Sequence, residues 1–178
     1  MRTPKTVFSL RVPTVDGVFL AVYSQAGLCE LSFPREKASE LFESASGVPL
    51  QVRQWHSLTC QAVERLLAGR PPGRLPPLDL SVGTEFQRQV WAAMRAIPFG
   101  KTVSYQSIAA SIGNPKACRA VGGACGANPI PVLIPCHRVL AANQRLGGFS
   151  GGLDWKRKLL AREGSWTPAL DSPSPKQL

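Results

Sequence analysis

Residues 104–127 read SYQSIAASIGNPKACRAVGGACGA, and this stretch determines how the second half of the chain folds. Ser104 is suited to cap a helix that ends at Gly113. Asn114 is then suited to cap a second helix, with Pro115 at its first position. Two short helices joined by a tight turn predict a helix-turn-helix.

The second helix of this motif carries few side chains that read bases. Proteins that read the major groove place Arg, Asn, Gln or Glu there, whereas only Lys116 and Arg119 are long and polar here. We expect its Ala and Gly residues to let the backbone approach a groove wall, with Arg119 projecting into the base stack. The alternative is that Ala and Gly pack this helix tightly against its neighbours and that Arg119 is a solvated surface charge.

Two further helices flank the motif. Thr84 and Gln87 form a capping-box pair before an apolar face that Pro98 interrupts. A last helix is predicted over 154–163, closed by Gly164. These helices make the second half of the chain mostly helical.

The first half, residues 1–80, has a different pattern. Short β-rich runs separated by turn residues predict a small antiparallel sheet, and helices are expected over 34–45 and 57–68 with a strand over 50–54. Residues 69–78 contain four prolines and two glycines, which predicts a linker. The whole pattern predicts an α+β fold: a small N-terminal α/β lobe with an antiparallel sheet, followed by a mostly helical domain with a winged helix-turn-helix.

The charge is uneven. The net charge is +10; residues 1–80 hold nine Lys and Arg against seven Asp and Glu, whereas residues 81–178 hold twelve against four. A basic half suggests a polyanionic partner, most commonly nucleic acid, although a basic surface without a partner gives the same count. No signal peptide or long apolar run is present, so we expect no membrane association and a cytoplasmic protein, nuclear if eukaryotic.

The five cysteines and two histidines do not form a metal motif. Their spacing is irregular and contains no C-x-x-C pair, which argues against a disulfide framework or a zinc site. We therefore expect no metal and no cofactor. Four of the cysteines have no neighbours that set them apart: Cys29, Cys60, Cys118 and Cys125.

Cys136 is different because it stands in the run IPCHRV, residues 134–139. A free thiol is mostly protonated at neutral pH, so a nucleophilic cysteine needs a neighbouring base or cation. His137 can serve through a water or a local turn, and Glu163 is the plausible acid to orient its ring. We expect an ionised sulfur in a cavity. The alternative for His137 is a structural histidine.

A glycine-rich loop, RLGGFSGG at 145–152, follows the cysteine. Such a loop lets backbone N–H groups approach a ligand, and we expect it to form a wall of the reactive pocket with Ser150 facing the ligand. The alternative is a flexible hinge.

The run from Gly113 to Gly164, with GKTVSYQSIAA before it, closely resembles the O6-alkylguanine-DNA alkyltransferases, also called methylated-DNA–protein-cysteine methyltransferases. The resemblance is strong over 81–164 and weak over 1–80. It implies a ribonuclease H-like first lobe and a DNA-binding and alkyl-acceptor domain over 81–165. It also implies a monomer. The Pro- and Ser-rich composition of residues 166–178 separately predicts a disordered tail.

The resemblance implies a single-turnover methyltransferase that binds double-stranded DNA containing alkylated guanine. Such a protein flips the base through the minor groove and transfers the alkyl group to its own Cys136, with O4-alkylthymine as a further candidate substrate. The residues that the resemblance assigns fall into three sets. The catalytic set is Cys136, His137, Glu163, Tyr105 and Asn128; the substrate-binding set is Ser150, Val139, Gly147 and Lys156; the DNA-binding set is Arg119, Tyr105, Ala120, Gly122, Lys116 and Arg138.

Two other functions fit parts of the sequence. A non-catalytic binder would keep the DNA-reading parts without a nucleophile, and Cys136 argues against it. A cysteine hydrolase using Cys136 and His137 would leave the basic half and the helix-turn-helix unexplained.

Overall fold

The computed structural model describes residues 7–34 and 47–166. The helix expected over 34–45 and the tail beyond Trp166 lie outside the described residues. Within the described ranges, no helix is both long and apolar enough to cross a membrane.

The chain begins with a three-stranded antiparallel sheet. Its strands are β1 (Phe8–Thr14), β2 (Gly17–Ser24) and β3 (Gly27–Ser32), in the order β1-β2-β3. Alternate residues point to opposite faces of a strand. On β2, this alternation buries Phe19, Ala21 and Tyr23 in the core.

Helix α1 (Leu50–Leu67) packs against this sheet. The strand expected over 50–54 was wrong. Val52 belongs to an apolar stripe at helical spacing, and the whole stretch is one helix. The members of the stripe are Val52, Thr59, Ala62, Val63, Leu66 and Leu67.

The proline-rich segment after α1 packs on the edge of the sheet. The amide of Leu28 donates to the carbonyl of Pro77 at 2.9 Å, and the amide of Asp79 donates to the carbonyl of Leu28 at 2.8 Å. A Cβ atom on Gly27 would lie 2.3 Å from the oxygen of Pro77, so this close approach needs glycine. The connection from the first lobe to the second is therefore fixed against β3.

The second half is mostly helical, as expected. It contains α2 (Glu85–Arg95), α3 (Tyr105–Ser111), α4 (Cys118–Gly126) and α5 (Leu153–Arg162). Two short strands, β4 (Val103–Ser104) and β5 (Val139–Leu140), pair in parallel. Together with the N-terminal sheet, these elements confirm the predicted α+β fold.

The caps of α2 and α3 are as predicted. The Thr84 hydroxyl accepts from the amide of Gln87 at 3.2 Å, the Gln87 side chain accepts from the amide of Thr84 at 2.8 Å, and the Ser104 hydroxyl accepts from the amide of Ser107 at 3.0 Å. The expected cap of α4 at Asn114 was wrong. Residues 114–117 form a turn closed by the amide of Ala117 and the carbonyl of Asn114, so α4 begins at Cys118.

Helices α3 and α4 pack against each other and against α2. The indole N–H of Trp91 on α2 donates to the carbonyl of Ala124 on α4 at 2.8 Å, and both groups are buried. This bond fixes one face of α4 to the core and leaves the opposite face outward.

Candidate active site and nucleic-acid interface

Cys136 occupies a single turn of 3₁₀ helix (Cys136–Arg138) that β5 follows directly. Because the chain is not extended in this turn, the Cys136 and His137 side chains are not forced to opposite faces, as they would be in a strand. Pro135 precedes the turn, and the amide of Arg138 donates to its carbonyl at 3.0 Å. Cys136 is 4% exposed, but it contributes to the wall of a cavity.

This cavity has a volume of about 400 Å³ and lies between α4, the start of α3 and the glycine-rich loop. The loop was predicted to form a wall of the reactive pocket, and Gly148, Phe149 and Ser150 line it. The other lining residues are Tyr105, Gly122, Cys125, Gly126 and Cys136. A compact planar molecule the size of a nucleobase fits such a space.

Asn128 holds the sulfur of Cys136. Its side-chain N–H₂ group donates to the carbonyl of Ile134 at 2.8 Å and to Sγ of Cys136 at 3.2 Å, while its oxygen accepts from the amide of Ile130 at 3.0 Å. One buried amide therefore ties the end of α4 to the turn that carries the cysteine.

Burial disfavours the ionised form of the Cys136 thiol. Burial raises its pKa, and the Asn128 amide, the Lys156 charge and the backbone amides of Cys136 and His137 oppose this effect only in part. This direction runs against the ionised sulfur expected from the sequence, because burial removes the water that would stabilise a thiolate. Ionisation therefore has to accompany removal of the proton by a base.

His137 and Glu163 form a buried pair. Nε2 of His137 lies 2.9 Å from Oε1 of Glu163. Burial lowers the pKa of His137, and although burial raises that of Glu163, hydrogen bonds from His137 and Arg138 bring it down to about 2. A neutral ring beside an ionised carboxylate must donate from Nε2, which leaves Nδ1 as the basic nitrogen.

That basic nitrogen is available. Nδ1 of His137 is buried and has no hydrogen-bond partner among the described residues. A buried polar atom without a partner is costly unless it has a role or a bridging water. The arrangement can therefore accept a proton at Nδ1 and stabilise the resulting imidazolium with Glu163.

Arg138 lies in the interior, 6% exposed, and its assignment to the DNA surface was wrong. Its guanidinium donates to both oxygens of Glu163 at 2.8 and 2.9 Å and to the carbonyl of Ile97 at 2.8 Å. The reason is electrostatic, because a buried carboxylate needs a fixed cation beside it. Arg138 thereby keeps Glu163 ionised and oriented towards His137.

Lys156 is also fully buried, and its assignment to substrate binding was wrong. Nζ donates to the carbonyls of Val139, at 2.7 Å, and Leu146. Burial lowers the pKa of Lys156 to about 8, and Cys136 and Cys125 oppose that shift. Lys156 therefore ties β5 to the start of the loop, and neither it nor Val139 lines the cavity.

Tyr105 begins α3 at the cavity wall. Burial, with contributions from Cys125 and Cys136, raises the pKa of its hydroxyl to about 12, so the group stays protonated and can donate a hydrogen bond. Gly147 lies against it, since a Cβ atom there would stand 3.2 Å from the tyrosine oxygen. Its φ of +66° also favours glycine.

The outer face of α4 is bare, in the sense that its glycines leave the space above the helix backbone unfilled. Cβ atoms added to Gly122, Gly123 and Gly126 would meet nothing within 4 Å. The alternative that these glycines serve tight internal packing is therefore not supported. Arg119 and Ala120 are exposed on the same helix, Lys116 is exposed in the turn before it, and Gly122 reaches the cavity wall.

Cys125 was not singled out from the sequence, yet it lines the cavity beside Cys136. Burial raises the pKa of its thiol to about 12, and its S–H group points to Sδ of Met94 at 3.4 Å. The helical spacing in the sequence could have indicated this position of Cys125, because residues 122, 125 and 126 share one face of α4.

Cys60 and His56 lie in the first lobe, with Sγ and Nε2 3.5 Å apart. In the part of the chain that the structure describes, no group of three or more His, Cys, Asp or Glu side chains is placed to hold a metal ion.

Comparison with known proteins agrees with this geometry. Residues 85–165 match the family described as "6-O-methylguanine DNA methyltransferase, DNA binding domain". A methylated-DNA–protein-cysteine methyltransferase of Methanosarcina acetivorans is 52% identical over 96 residues, which are 52% of this chain and 62% of that protein. The bifunctional transcriptional activator/DNA repair enzyme Ada of Escherichia coli is 38% identical over 83% of this chain and 42% of its own length.

The chain thus spans less than two thirds of these two curated relatives. Two solved structures match over nearly their whole length. The Mycobacterium tuberculosis OGT-R37K crystal structure has a TM-score of 0.70 and 32% identity over 96% of this chain and 98% of that one. The M. tuberculosis OGT structure in complex with DNA has a TM-score of 0.69 and 33% identity, over 92% and 96% of the two chains.

Proposed function

Because the chain belongs to the 6-O-methylguanine DNA methyltransferase family, we propose that it repairs O6-alkylguanine in duplex DNA by moving the alkyl group to its own Cys136. The observation that carries the proposal is the contribution of Cys136 to the wall of a cavity of nucleobase size, at the edge of a bare helix face. The target atom lies inside a stacked duplex, so the nucleotide has to rotate out to reach it.

Binding begins on the outer face of α4. Its glycines let the duplex approach the helix backbone closely, and the net charge of +10 favours a phosphate backbone. Arg119 projects from this face and fills the position that the flipped base leaves in the stack. The helix offers little for sequence reading, so affinity comes from shape and charge.

The flipped guanine then enters the cavity beside Cys136. Tyr105 donates a hydrogen bond to a ring nitrogen, and backbone N–H groups near Ser150 and Gly147 face the base. These groups stabilise the negative charge that develops on the guanine as the alkyl group leaves.

Transfer couples deprotonation to displacement. The Cys136 proton passes through a water to Nδ1 of His137, and the sulfur attacks the alkyl carbon. The carbon–sulfur bond forms as the carbon–oxygen bond breaks, and the electron pair of the broken bond goes to the guanine oxygen. Glu163 stabilises the imidazolium, and Asn128 holds the sulfur in place.

The product is a thioether, which has no easily displaced leaving group. The protein is therefore consumed, and the chemistry of the chain itself requires no cofactor. The proposed substrates are alkylguanine in double-stranded DNA and, as a further candidate, O4-alkylthymine.

A stoichiometry assay tests this function. Duplex DNA with one O6-methylguanine is mixed in excess with the protein, and the remaining methylated base is counted. We expect one methyl group to be removed per protein molecule, with no further turnover. Continuous turnover would indicate a hydrolase, and binding without removal would indicate a non-catalytic binder.

A further inference from the structure

Phe149 and Ser150 form one wall of the cavity, and few hydrogen bonds within their own loop hold this wall in place. Both residues lie in the glycine-rich loop between β5 and α5, and Ser150 is exposed. The backbone hydrogen bond described within residues 148–152 joins the amide of Gly152 to the carbonyl of Phe149 at 3.1 Å. A wall of this kind needs an external support to keep a fixed distance from Cys136.

Phe33 supplies a support from the N-terminal lobe. It follows β3, and its ring meets the ring of Phe149 edge-on with 5.7 Å between centroids. A Cβ atom on Gly151 would lie 2.4 Å from Cε2 of Phe33, so the ring rests directly on the loop backbone. One aromatic side chain therefore contacts a ring of the cavity wall and the loop backbone that follows that wall.

The Phe33 ring is itself held by rigid elements. Its centroid lies 4.9 Å from that of Trp155 on α5 and 5.5 Å from that of Phe19 on β2. Next to it, the amide of Leu31 donates to the carbonyl of Pro129 at 2.9 Å, one residue after Asn128. The N-terminal lobe thus contacts both the glycine-rich loop and the segment that follows α4.

We propose that Phe33 is a positioning residue for alkyl transfer, acting through Phe149 and Gly151 to set the cavity wall opposite Cys136. The proposal rests on the transfer reaction proposed above and assigns the N-terminal lobe a part in it. The physical reason is that displacement at carbon needs close alignment, and a shift of about 1 Å costs on the order of 100-fold in rate.

Single-turnover kinetics with O6-methylguanine duplex at increasing concentration separate the dissociation constant from the maximal transfer rate. We expect Phe33→Ala to lower the maximal rate about tenfold, with little change in the dissociation constant, because the α4 face is untouched. Phe33→Leu should restore part of the rate. Phe8→Ala removes a half-buried ring from β1 of the same sheet and should leave the rate unchanged.

A double-mutant cycle tests the contact itself. Gly151→Ala introduces a methyl group against the Phe33 ring and should slow transfer about tenfold in the wild-type background, but less than about twofold in the Phe33→Ala background. Equal losses in both backgrounds would overturn the proposal. If Phe33→Ala does not stay folded, Phe33→Leu takes its place in the cycle with the same criterion.

The outcomes separate the two proposals. If the wild-type protein transfers no methyl group, the proposed function fails. If the wild-type protein transfers it and Phe33→Ala does so at the same rate, only the role of Phe33 fails. A fall in affinity with an unchanged maximal rate would also overturn that role, since it would place Phe33 in DNA binding.

Discussion

Glu163 accepts a hydrogen bond of 2.9 Å from Nε2 of His137 in the buried interior, 26 residues away along the chain. The same carboxylate accepts from Arg138, which keeps it ionised without a proton of its own. The pair therefore fixes the histidine tautomer, and the basic nitrogen is the one that has no partner among the described residues.

Glu163→Gln should slow transfer and move its pH dependence to higher pH. The amide cannot stabilise the imidazolium that forms when His137 takes the thiol proton, so the effective pKa of Cys136 rises. We expect a loss on the order of 100-fold at neutral pH. The measurement is the single-turnover rate across pH, with Asp154→Asn, an exposed carboxylate on α5, as the control. An unchanged pH profile would count against the relay.

Glu163 should also make the fold sensitive to acid. Its folded pKa of about 2 lies below its ordinary value of 4.5, so the unfolded chain takes up the proton first. Above the pKa of Glu163 in the unfolded chain, this stabilisation is complete. It disappears as pH falls through the pKa of Glu163 in the folded protein, which lowers the free energy of unfolding by about 3 kcal/mol.

Urea unfolding of the wild type and Glu163→Gln measures this effect. We expect the free energy of unfolding of the wild type, minus that of Glu163→Gln, to fall by about 3 kcal/mol as pH is lowered from about 5 to about 2. A difference that stays constant over this range would show that Glu163 is not the titrating group.

Arg119→Ala should slow repair in duplex DNA far more than reaction with the free alkylated base. The free base needs no rotation out of a stack, so it bypasses the role of the arginine. Lys116→Ala is the matched control, because it removes only a phosphate contact. It should weaken duplex binding and reduce the slope of log affinity against log salt concentration by about one. It should not slow transfer when the protein is saturated with DNA. Equal losses on the two substrates with Arg119→Ala would refute the intercalating role.

The bare face of α4 can be tested separately from the fold. A Cβ atom on Gly123 meets nothing within 4 Å, so Gly123→Ala should raise the free energy of unfolding by about 0.5–1 kcal/mol. Gly123→Leu should fold equally well and bind duplex DNA at least about tenfold more weakly, because its side chain stands where the groove wall approaches. Full duplex affinity in Gly123→Leu would place the DNA on another face.

Asn128→Ala should raise the pKa of the Cys136 thiol further. In the wild type, the hydrogen bond from Asn128 to Sγ lowers the pKa of Cys136, and the substitution removes this bond. It also leaves the carbonyl of Ile134 without its side-chain donor. We expect a loss of about 1–3 kcal/mol in stability and a shift of the pH-rate curve to higher pH. Asn114→Ala, in the exposed turn before α4, should change neither quantity.

Local signals in the sequence predicted much of the fold. Capping residues marked the starts of α2 and α3 correctly because Thr84, Gln87 and Ser104 bond within their own turns. The start of α4 was misplaced because Asn114 and Pro115 suit a tight turn as well as a helix cap. Gln106 donates to the carbonyl of Pro115, and this tertiary contact favours the turn.

The family resemblance named residues that the fold brings together at the cavity, but it misassigned two residues whose places burial decides. Arg138 and Lys156 are charged, and the resemblance placed both at ligands. The fold instead buries each beside a fixed partner, the carboxylate of Glu163 and two carbonyls. The raised pKa of Cys136 was missed for the same reason, since the depth of a thiol in the interior is not visible in the sequence.

The most direct measurement is mass mapping of the protein after reaction with one equivalent of O6-methylguanine duplex. Cleavage after Arg119 and Arg138 releases one peptide that contains both Cys125 and Cys136, so fragmentation must distinguish the two thiols. We predict a gain of one methylene unit on Cys136, unaffected by Cys125→Ser. A methyl group on Cys125, or an unchanged mass with DNA bound, would contradict the account.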